Sequence, residues 1–82
     1  MNYYIYILYS KSLNRYYIGH TNNISRRLME HNSAQSKSTK AGIPWKVVYS
    51  TPFNSRSEAA KEETRIKKMK SRKFIEQLIV SG

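Results

Sequence analysis

The sequence predicts an α/β (α+β) fold: a small, mainly antiparallel three-stranded sheet flanked by helices, in the order β-β-α-β-α-α. Residues 3–9 and 15–20 are aromatic-rich segments separated by a short polar stretch, a pattern typical of a β-hairpin. Three later segments carry helix-capping residues or apolar residues at helical spacing, and they cover residues 24–31, 55–70 and 71–80. Alternation of strands and helices in so short a chain indicates one sheet covered by helices.

The first strand, residues 3–9, reads Tyr-Tyr-Ile-Tyr-Ile-Leu-Tyr and is apolar or aromatic at both alternating positions. Because neither face is polar, we expect this strand to be central and covered on both sides. Residues 10–14 are predicted to form the hairpin loop, 15–20 the return strand and 45–51 the third strand.

Local capping signals set the expected helix boundaries. Residues 21–23, Thr-Asn-Asn, supply cap-forming side chains for the helix over 24–31, and Ser55 or Ser57 can cap the second helix. Residues 32–44 are rich in serine, lysine and small residues and end in Gly-Ile-Pro, which predicts an irregular, exposed loop.

The length and the charge of the chain limit the classes of function that it can have. A chain of 82 residues is expected to form a single small domain, residues 1–82, that buries about 60% of its unfolded surface. Fifteen Lys and Arg against five Asp and Glu give a formal net charge of +10. So dense a positive charge attracts polyanions through counterion release, which makes nucleic acid the expected partner.

Other partners and compartments are disfavoured by the same composition. No apolar run approaches the roughly 20 residues of a membrane-spanning helix, and the start of the chain does not resemble a signal peptide. With no cysteine there is no disulfide framework and no thiolate zinc site. We therefore expect no membrane partner and a cytoplasmic location.

The first predicted helix aims two functional side chains at the sheet. Arg27 and His31 fall on its apolar side, whereas Arg26 and Glu30 fall on the other. Helix geometry alone also fits a structural interpretation, in which Arg27 lays its stem along the edge of the core and His31 is a buried histidine with its hydrogen bonds satisfied.

The second predicted helix offers two candidate carboxylates. Glu62 and Glu63 straddle the middle of a weak apolar stripe about equally, so helical geometry cannot choose between them. Both also fit as exposed partners of neighbouring lysines. With only five acidic residues in the chain, a metal site of several carboxylates is hard to build.

Two triplets and their spacing resemble the catalytic core of the GIY-YIG nuclease family. Tyr17-Ile18-Gly19 matches the second signature triplet, Tyr4-Ile5-Tyr6 stands in place of the first with tyrosine for glycine, and Arg27 follows at the family interval. The resemblance extends over nearly the whole chain, to the small standalone single-domain branch of the family. It implies a metal-dependent DNA endonuclease or structure-directed nuclease that hydrolyses phosphodiester bonds to a 5′-phosphate and a 3′-hydroxyl.

The resemblance also assigns roles to the residues that geometry left open. It aligns Glu63 with the single metal-binding carboxylate, and one carboxylate, waters and a substrate phosphate suit Mg²⁺, or Mn²⁺ in its place. It places Arg27 on the scissile phosphate, a contact that the planar guanidinium fits. DNA is the favoured nucleic acid over RNA.

Water activation is the role implied for the signature tyrosines, Tyr6 and Tyr17. A free phenol with a pKa of about 10 is a poor base at neutral pH, so it needs a metal or a proton acceptor nearby. His20, directly after the signature glycine, is one candidate acceptor, although an exposed histidine at the strand end is an equal alternative. His31 matches a position where several members have histidine, and Gly19 is expected to permit close packing or close approach of substrate.

Positive charge near the C-terminus and in the serine-rich loop is expected to position phosphates, since few acids lie nearby to pair with it. The residues are Lys37, Lys40, Lys67, Lys68, Lys70, Arg72 and Lys73. One feature departs from the family: many members place an asparagine near the C-terminus, and residues 55–82 contain none. That absence favours the alternative of a non-catalytic DNA- or RNA-binding module on the same scaffold.

Overall fold

Three antiparallel strands form one sheet with the order β2-β1-β3 in the computed structural model, which describes residues 2–35, 37 and 39–81. The strands are β1 (Tyr3–Ser10), β2 (Arg15–Thr21) and β3 (Trp45–Phe53). The predicted fold is confirmed, and so is the central position of the first strand. Residues 5–8 are each at most 1% exposed, because both faces of β1 are covered.

The helices are α1 (Ile24–Asn32), α2 (Arg56–Met69) and α3 (Arg72–Ser81). Asn23 caps α1 by accepting the Arg26 backbone N–H at 3.0 Å, and Ser55 caps α2 at the Glu58 N–H at 3.2 Å. Of the two serines predicted as caps for the second helix, Ser55 is therefore the one used. Across the described ranges, no helix combines the length and hydropathy required to cross a membrane.

The two faces of the sheet pack against different helices. Residues paired directly across an antiparallel ladder lie on the same face. Ile5, Ile7 and Ile18 form the core beneath α2, with Ile66 as its buried partner on that helix. The opposite face carries the tyrosines at positions 6 and 17 and packs against α1. The sheet face on which a strand residue places its side chain therefore decides which helix that side chain contacts.

The predicted exposed loop, residues 32–44, is in fact anchored to the sheet. Thr39 is 1% exposed, and a short 3₁₀ helix spans Lys40–Gly42. The Trp45 indole N–H donates to the Thr39 carbonyl at 2.6 Å, while the Asn32 side chain bonds both the backbone N–H and the carbonyl of Trp45. The segment is mostly exposed, as predicted, but its composition did not indicate the buried Thr39 and Gly42 or the 3₁₀ helix.

Candidate active site

A buried phenol lies at the centre of the face that α1 covers. Tyr6 pairs with Gly19 across β1 and β2, and the Tyr6 side chain is 1% exposed. A Cβ atom added to Gly19 would lie 2.5 Å from the Tyr6 hydroxyl oxygen and 2.7 Å from Cζ. Gly19 is therefore the residue that leaves room for the Tyr6 ring, through close packing rather than backbone conformation.

His31, near the end of α1, contacts that phenol. Its Nε2 lies 3.4 Å from the Tyr6 hydroxyl, and its Nδ1 lies 2.8 Å from the Thr39 hydroxyl. The Tyr17 ring packs on the imidazole at 4.8 Å between centroids and also meets the indole of Trp45. His31 is 1% exposed, so its ring is fixed on every side.

Burial sets the protonation state of this pair. It raises the pKa of Tyr6, although the neighbouring Arg27 partly offsets the increase. It lowers the pKa of His31 below 6.5, and the positive charge of Arg27 lowers it further. At neutral pH a protonated phenol therefore faces an uncharged imidazole, and a neutral imidazole keeps one nitrogen free to accept a proton.

Arg27 lies beside the phenol at the rim of the site. Interaction with the Tyr6 hydroxyl raises the pKa of Arg27, and its guanidinium donates to Glu30 at 2.8 Å. The Arg27 side chain is 36% exposed, so part of its fork is open to a ligand. Glu30, predicted to lie on the side of α1 away from Arg27, is still within reach of its guanidinium, because positions three apart are neighbours on a helix surface.

A second cluster lies on the other face of the sheet. The His20 Nδ1 and a carboxylate oxygen of Glu63 are 2.6 Å apart, and Lys67 donates to the other oxygen at 2.6 Å. Burial tends to raise the pKa of Glu63, but the hydrogen bonds from Lys67 and His20 outweigh it and hold that pKa below its usual value. Glu63 is therefore an ionised carboxylate with 19% of its side chain exposed.

These contacts distinguish the two glutamates, and the two histidines, that the sequence left as alternatives. Glu62 pairs with Arg65 through two short hydrogen bonds, at 2.7 and 2.6 Å, so the adjacent glutamates have different partners. His20 bonds Glu63, whereas the imidazole that touches Tyr6 is His31. The suggestion that His20 accepts the tyrosine proton is thus not supported by this geometry, because His20 is opposite Ile5 and belongs to the other face.

The donor set at Glu63 fits a hydrated hard cation better than an all-protein cage. The described part of the chain holds no group of three or more His, Cys, Asp or Glu side chains arranged around a metal position. Mg²⁺ commonly binds through one or two carboxylates and keeps several waters. Each oxygen of Glu63 accepts one hydrogen bond and has a further lone pair, so this carboxylate can bind Mg²⁺ or Mn²⁺.

One residue of each cluster lines a groove of about 310 Å³ at the C-terminal end of β2. Both His20 and Arg27 line it, and so do Arg26 and Arg56. Arg26 is therefore not confined to the opposite side of its helix, and Arg56, at the start of α2, is a functional candidate that the sequence alone did not indicate. No local motif marks Arg56, since only the packing of α2 beside β2 brings it to the groove.

Two of the predicted phosphate-binding cations have partners within the chain. Lys67 bonds Glu63, and Arg72 donates to the carbonyl and side-chain oxygens of Asn14 at 2.7 and 2.6 Å while lying 5.0 Å over the Tyr16 ring. The expectation that this segment has little to pair with is wrong for these two. The remaining predicted residues are exposed: Lys37, Lys40, Lys68, Lys70 and Lys73.

The buried imidazole makes stability depend on pH. Because the folded state lowers the pKa of His31, the unfolded chain binds its proton more readily. The contribution of neutral His31 to stability is complete above pH 6.5, the ordinary pKa, and is lost as pH falls below it toward the lower pKa of the folded state. We expect the free energy of unfolding, measured in urea between about pH 8 and about pH 5, to fall less in His31→Gln than in the parent. Equal slopes in the parent and His31→Gln would contradict the prediction.

Comparisons with known proteins agree with this architecture. The profile described as the GIY-YIG catalytic domain matches residues 2–75. A UPF0213 protein of Streptococcus pneumoniae serotype 4 is 40% identical over 68 residues, which cover 82% of this chain and 68% of the relative. A UPF0213 protein of Listeria welshimeri is 44% identical over 57 residues, or 68% of this chain and 63% of that protein.

A solved structure shows the same fold. The solution NMR structure of the UPF0213 protein BH0048 from Bacillus halodurans aligns with a TM-score of 0.61 and 36% identity. The alignment covers 98% of this chain and 84% of that one. The chain therefore belongs to the GIY-YIG catalytic domain family and, within it, to the small UPF0213 proteins.

Proposed function

We propose that this protein is a metal-dependent nuclease that hydrolyses phosphodiester bonds in DNA. The observation that carries the proposal is the groove at the end of β2, which is lined by Arg27 and by the His20 side chain that bonds the ionised Glu63. His20, bonded to Glu63, lines it from one face of the sheet, and Arg27, beside the buried phenol, lines it from the other. Family membership supports a nuclease in general terms.

The carboxylate and the guanidinium have separate tasks in this mechanism. Glu63 would hold a Mg²⁺ or Mn²⁺ ion, which would supply Lewis acidity to the scissile phosphate and charge stabilisation to the leaving oxygen. His20 and Lys67 hold the Glu63 side chain in position. Arg27, which stays charged at any working pH, binds the phosphate and neutralises the charge that develops on it.

Water activation falls to the Tyr6–His31 pair. In the tautomer protonated at Nδ1, His31 donates to the Thr39 hydroxyl and presents a free Nε2 to the phenol. In this proposal Tyr6, although 1% exposed, would take a proton from a water held against its hydroxyl while His31 accepts the phenolic proton, so that hydroxide forms without a free phenolate at neutral pH. Tyr17 is the other candidate base, and its packing on the imidazole also gives it a positioning role.

A non-catalytic nucleic-acid-binding module is the second candidate function. It is favoured by the state of Glu63, since both carboxylate oxygens already accept hydrogen bonds from cationic or imidazole groups within the chain. A binder needs the positive surface but has no requirement for the Tyr6–His31 contact.

A cleavage screen distinguishes the two candidates. Labelled single-stranded, duplex, flap and junction DNA would be incubated with the protein in Mg²⁺, in Mn²⁺ and in EDTA. We expect metal-dependent products ending in a 5′-phosphate and a 3′-hydroxyl, and a loss of about a hundredfold or more in Arg27→Ala. Binding without cleavage of any of these substrates in either metal would establish the binding module instead.

A further inference from the structure

A second basic groove lies at the opposite end of β2. It measures about 320 Å³, and Arg15, Lys70 and Arg72 contribute its positive charge. Lys67 also lines this groove, and Lys67 is the residue that bonds Glu63. Since Glu63 bonds His20, which lines the groove at the C-terminal end of β2, one chain of contacts joins the two grooves.

The strand between the grooves is an edge of the sheet. Within residues 2–35, 37 and 39–81, β2 pairs with β1 alone in the order β2-β1-β3, and no other described strand covers its outer side. Positive side chains lie toward both ends of this edge, with Arg15 at the start of β2 and Arg26 and Arg56 beyond its final residue. The carboxylate of Glu63 bonds His20 at one groove and Lys67 at the other.

Charge pairing leaves several of these cations available. The five acids of the chain are all described: four form ion pairs with other residues, and Glu58 accepts from the capping serine. Consequently, in the ranges that the structure covers, no carboxylate pairs with Arg15, Arg56 or Lys70. Arg26 is paired weakly, at 3.9 Å from Glu30.

We infer that a nucleic-acid backbone runs along the β2 edge, with Arg26 and Arg56 binding phosphates on one side of Glu63 and Arg15 and Lys70 binding them on the other. This inference rests on the proposed function for its central site and adds the path of the substrate and the two phosphate subsites. Exposed arginines and lysines of this kind fix the register of a strand without reading its sequence.

The dimensions suit such a path. From Arg15 to His20 the strand advances about 17 Å, at about 3.3 Å per residue, which corresponds to about five base pairs along a duplex axis. Phosphates on both sides of a central scissile bond therefore lie within reach of the two grooves.

Three double variants with the same net charge test the path. Arg26→Ala/Arg56→Ala removes one groove's cations and Arg15→Ala/Lys70→Ala the other's, whereas Lys46→Ala/Lys61→Ala removes two exposed lysines that line neither groove. Each variant has a formal net charge of +10 − 2 = +8. Binding of a fluorescein-labelled DNA duplex would be measured by anisotropy in EDTA, over a series of salt concentrations, so that cleavage plays no part.

We expect each groove variant to weaken binding by about tenfold and to flatten the log-log salt dependence by roughly two units, one for each phosphate that the variant no longer binds. The Lys46→Ala/Lys61→Ala control should change the slope of the log-log salt dependence by less than half the change seen in either groove variant. Thermal unfolding would verify that each variant is folded, and the glutamine substitutions Arg26→Gln/Arg56→Gln and Arg15→Gln/Lys70→Gln repeat the test where an alanine variant is unstable.

The outcomes distinguish a failure of the proposed DNA path from a failure of the proposed nuclease activity. Equal effects in all three variants, parent-like binding by the groove variants, or a parent that binds no DNA would each overturn the path. If the groove variants lose affinity but the parent cuts no substrate in Mg²⁺ or Mn²⁺, the path stands and the nuclease proposal fails. If the parent cuts DNA and the groove variants bind like the lysine control, the nuclease stands and the path fails.

Discussion

Replacing Glu63 by glutamine should abolish Mg²⁺-dependent cleavage while leaving the fold and the DNA affinity intact. Glutamine has the size of glutamate, so the packing of α2 on the sheet is retained, but its neutral amide is a much weaker ligand for a hard cation. Removing a negative charge beside a polyanion cannot weaken their attraction, so binding should be unchanged or tighter. Cleavage rates and anisotropy binding in EDTA, measured on the same duplex, would check both parts.

Glu62→Gln is the matched control for this substitution. It changes the same functional group one position earlier, where the carboxylate pairs with Arg65 on the exposed side of α2. We expect it to cut DNA as the parent does. Parent-like cleavage by Glu63→Gln, or equal losses in the two variants, would remove Glu63 from the metal site.

Adding one methyl group at Gly19 should damage both stability and catalysis. The Cβ of Gly19→Ala would lie 2.5 Å from the Tyr6 hydroxyl oxygen, and Tyr6, at 1% exposure, has no free space into which to move. Overpacking of this kind costs about 1–3 kcal/mol, which outweighs the roughly 0.5–1 kcal/mol gained by removing a glycine from a strand. A shift of about 1 Å in the phenol would reduce cleavage about a hundredfold.

A double-mutant cycle with Tyr6→Phe tests the cause of that loss. Removing the hydroxyl removes the nearest clashing atom, so Gly19→Ala should destabilise the Tyr6→Phe protein less than it destabilises the parent. Urea unfolding of the four proteins gives the coupling free energy, and cleavage by Gly19→Ala gives the catalytic effect. If Gly19→Ala is as stable and as active as the parent, the close contact between Gly19 and Tyr6 is not needed for stability or for catalysis.

Local signals in the sequence determined most of the secondary structure. The first strand has apolar residues at both parities and is the central strand, because a strand with no polar face must be covered twice. Asn23 and Ser55 mark the helix starts since their side chains satisfy the first free N–H groups within a few residues. Helical spacing likewise predicted that Arg27 and His31 would face the sheet.

The partners of the site residues required the tertiary structure, because they depend on register and on contacts distant in sequence. The pairing of Tyr6 with Gly19 places His20 on the opposite face, where it meets a glutamate 43 positions later. A bulge at Val48 shifts the register of β3 against β1 by one residue, so that Trp45 pairs with Ser10. It therefore puts the indole on the face of Tyr17 and His31. The sequence indicated which residues belong to the candidate site. Only the packing of the helices on the sheet decided that these residues lie on two sheet faces and that one groove is lined from both.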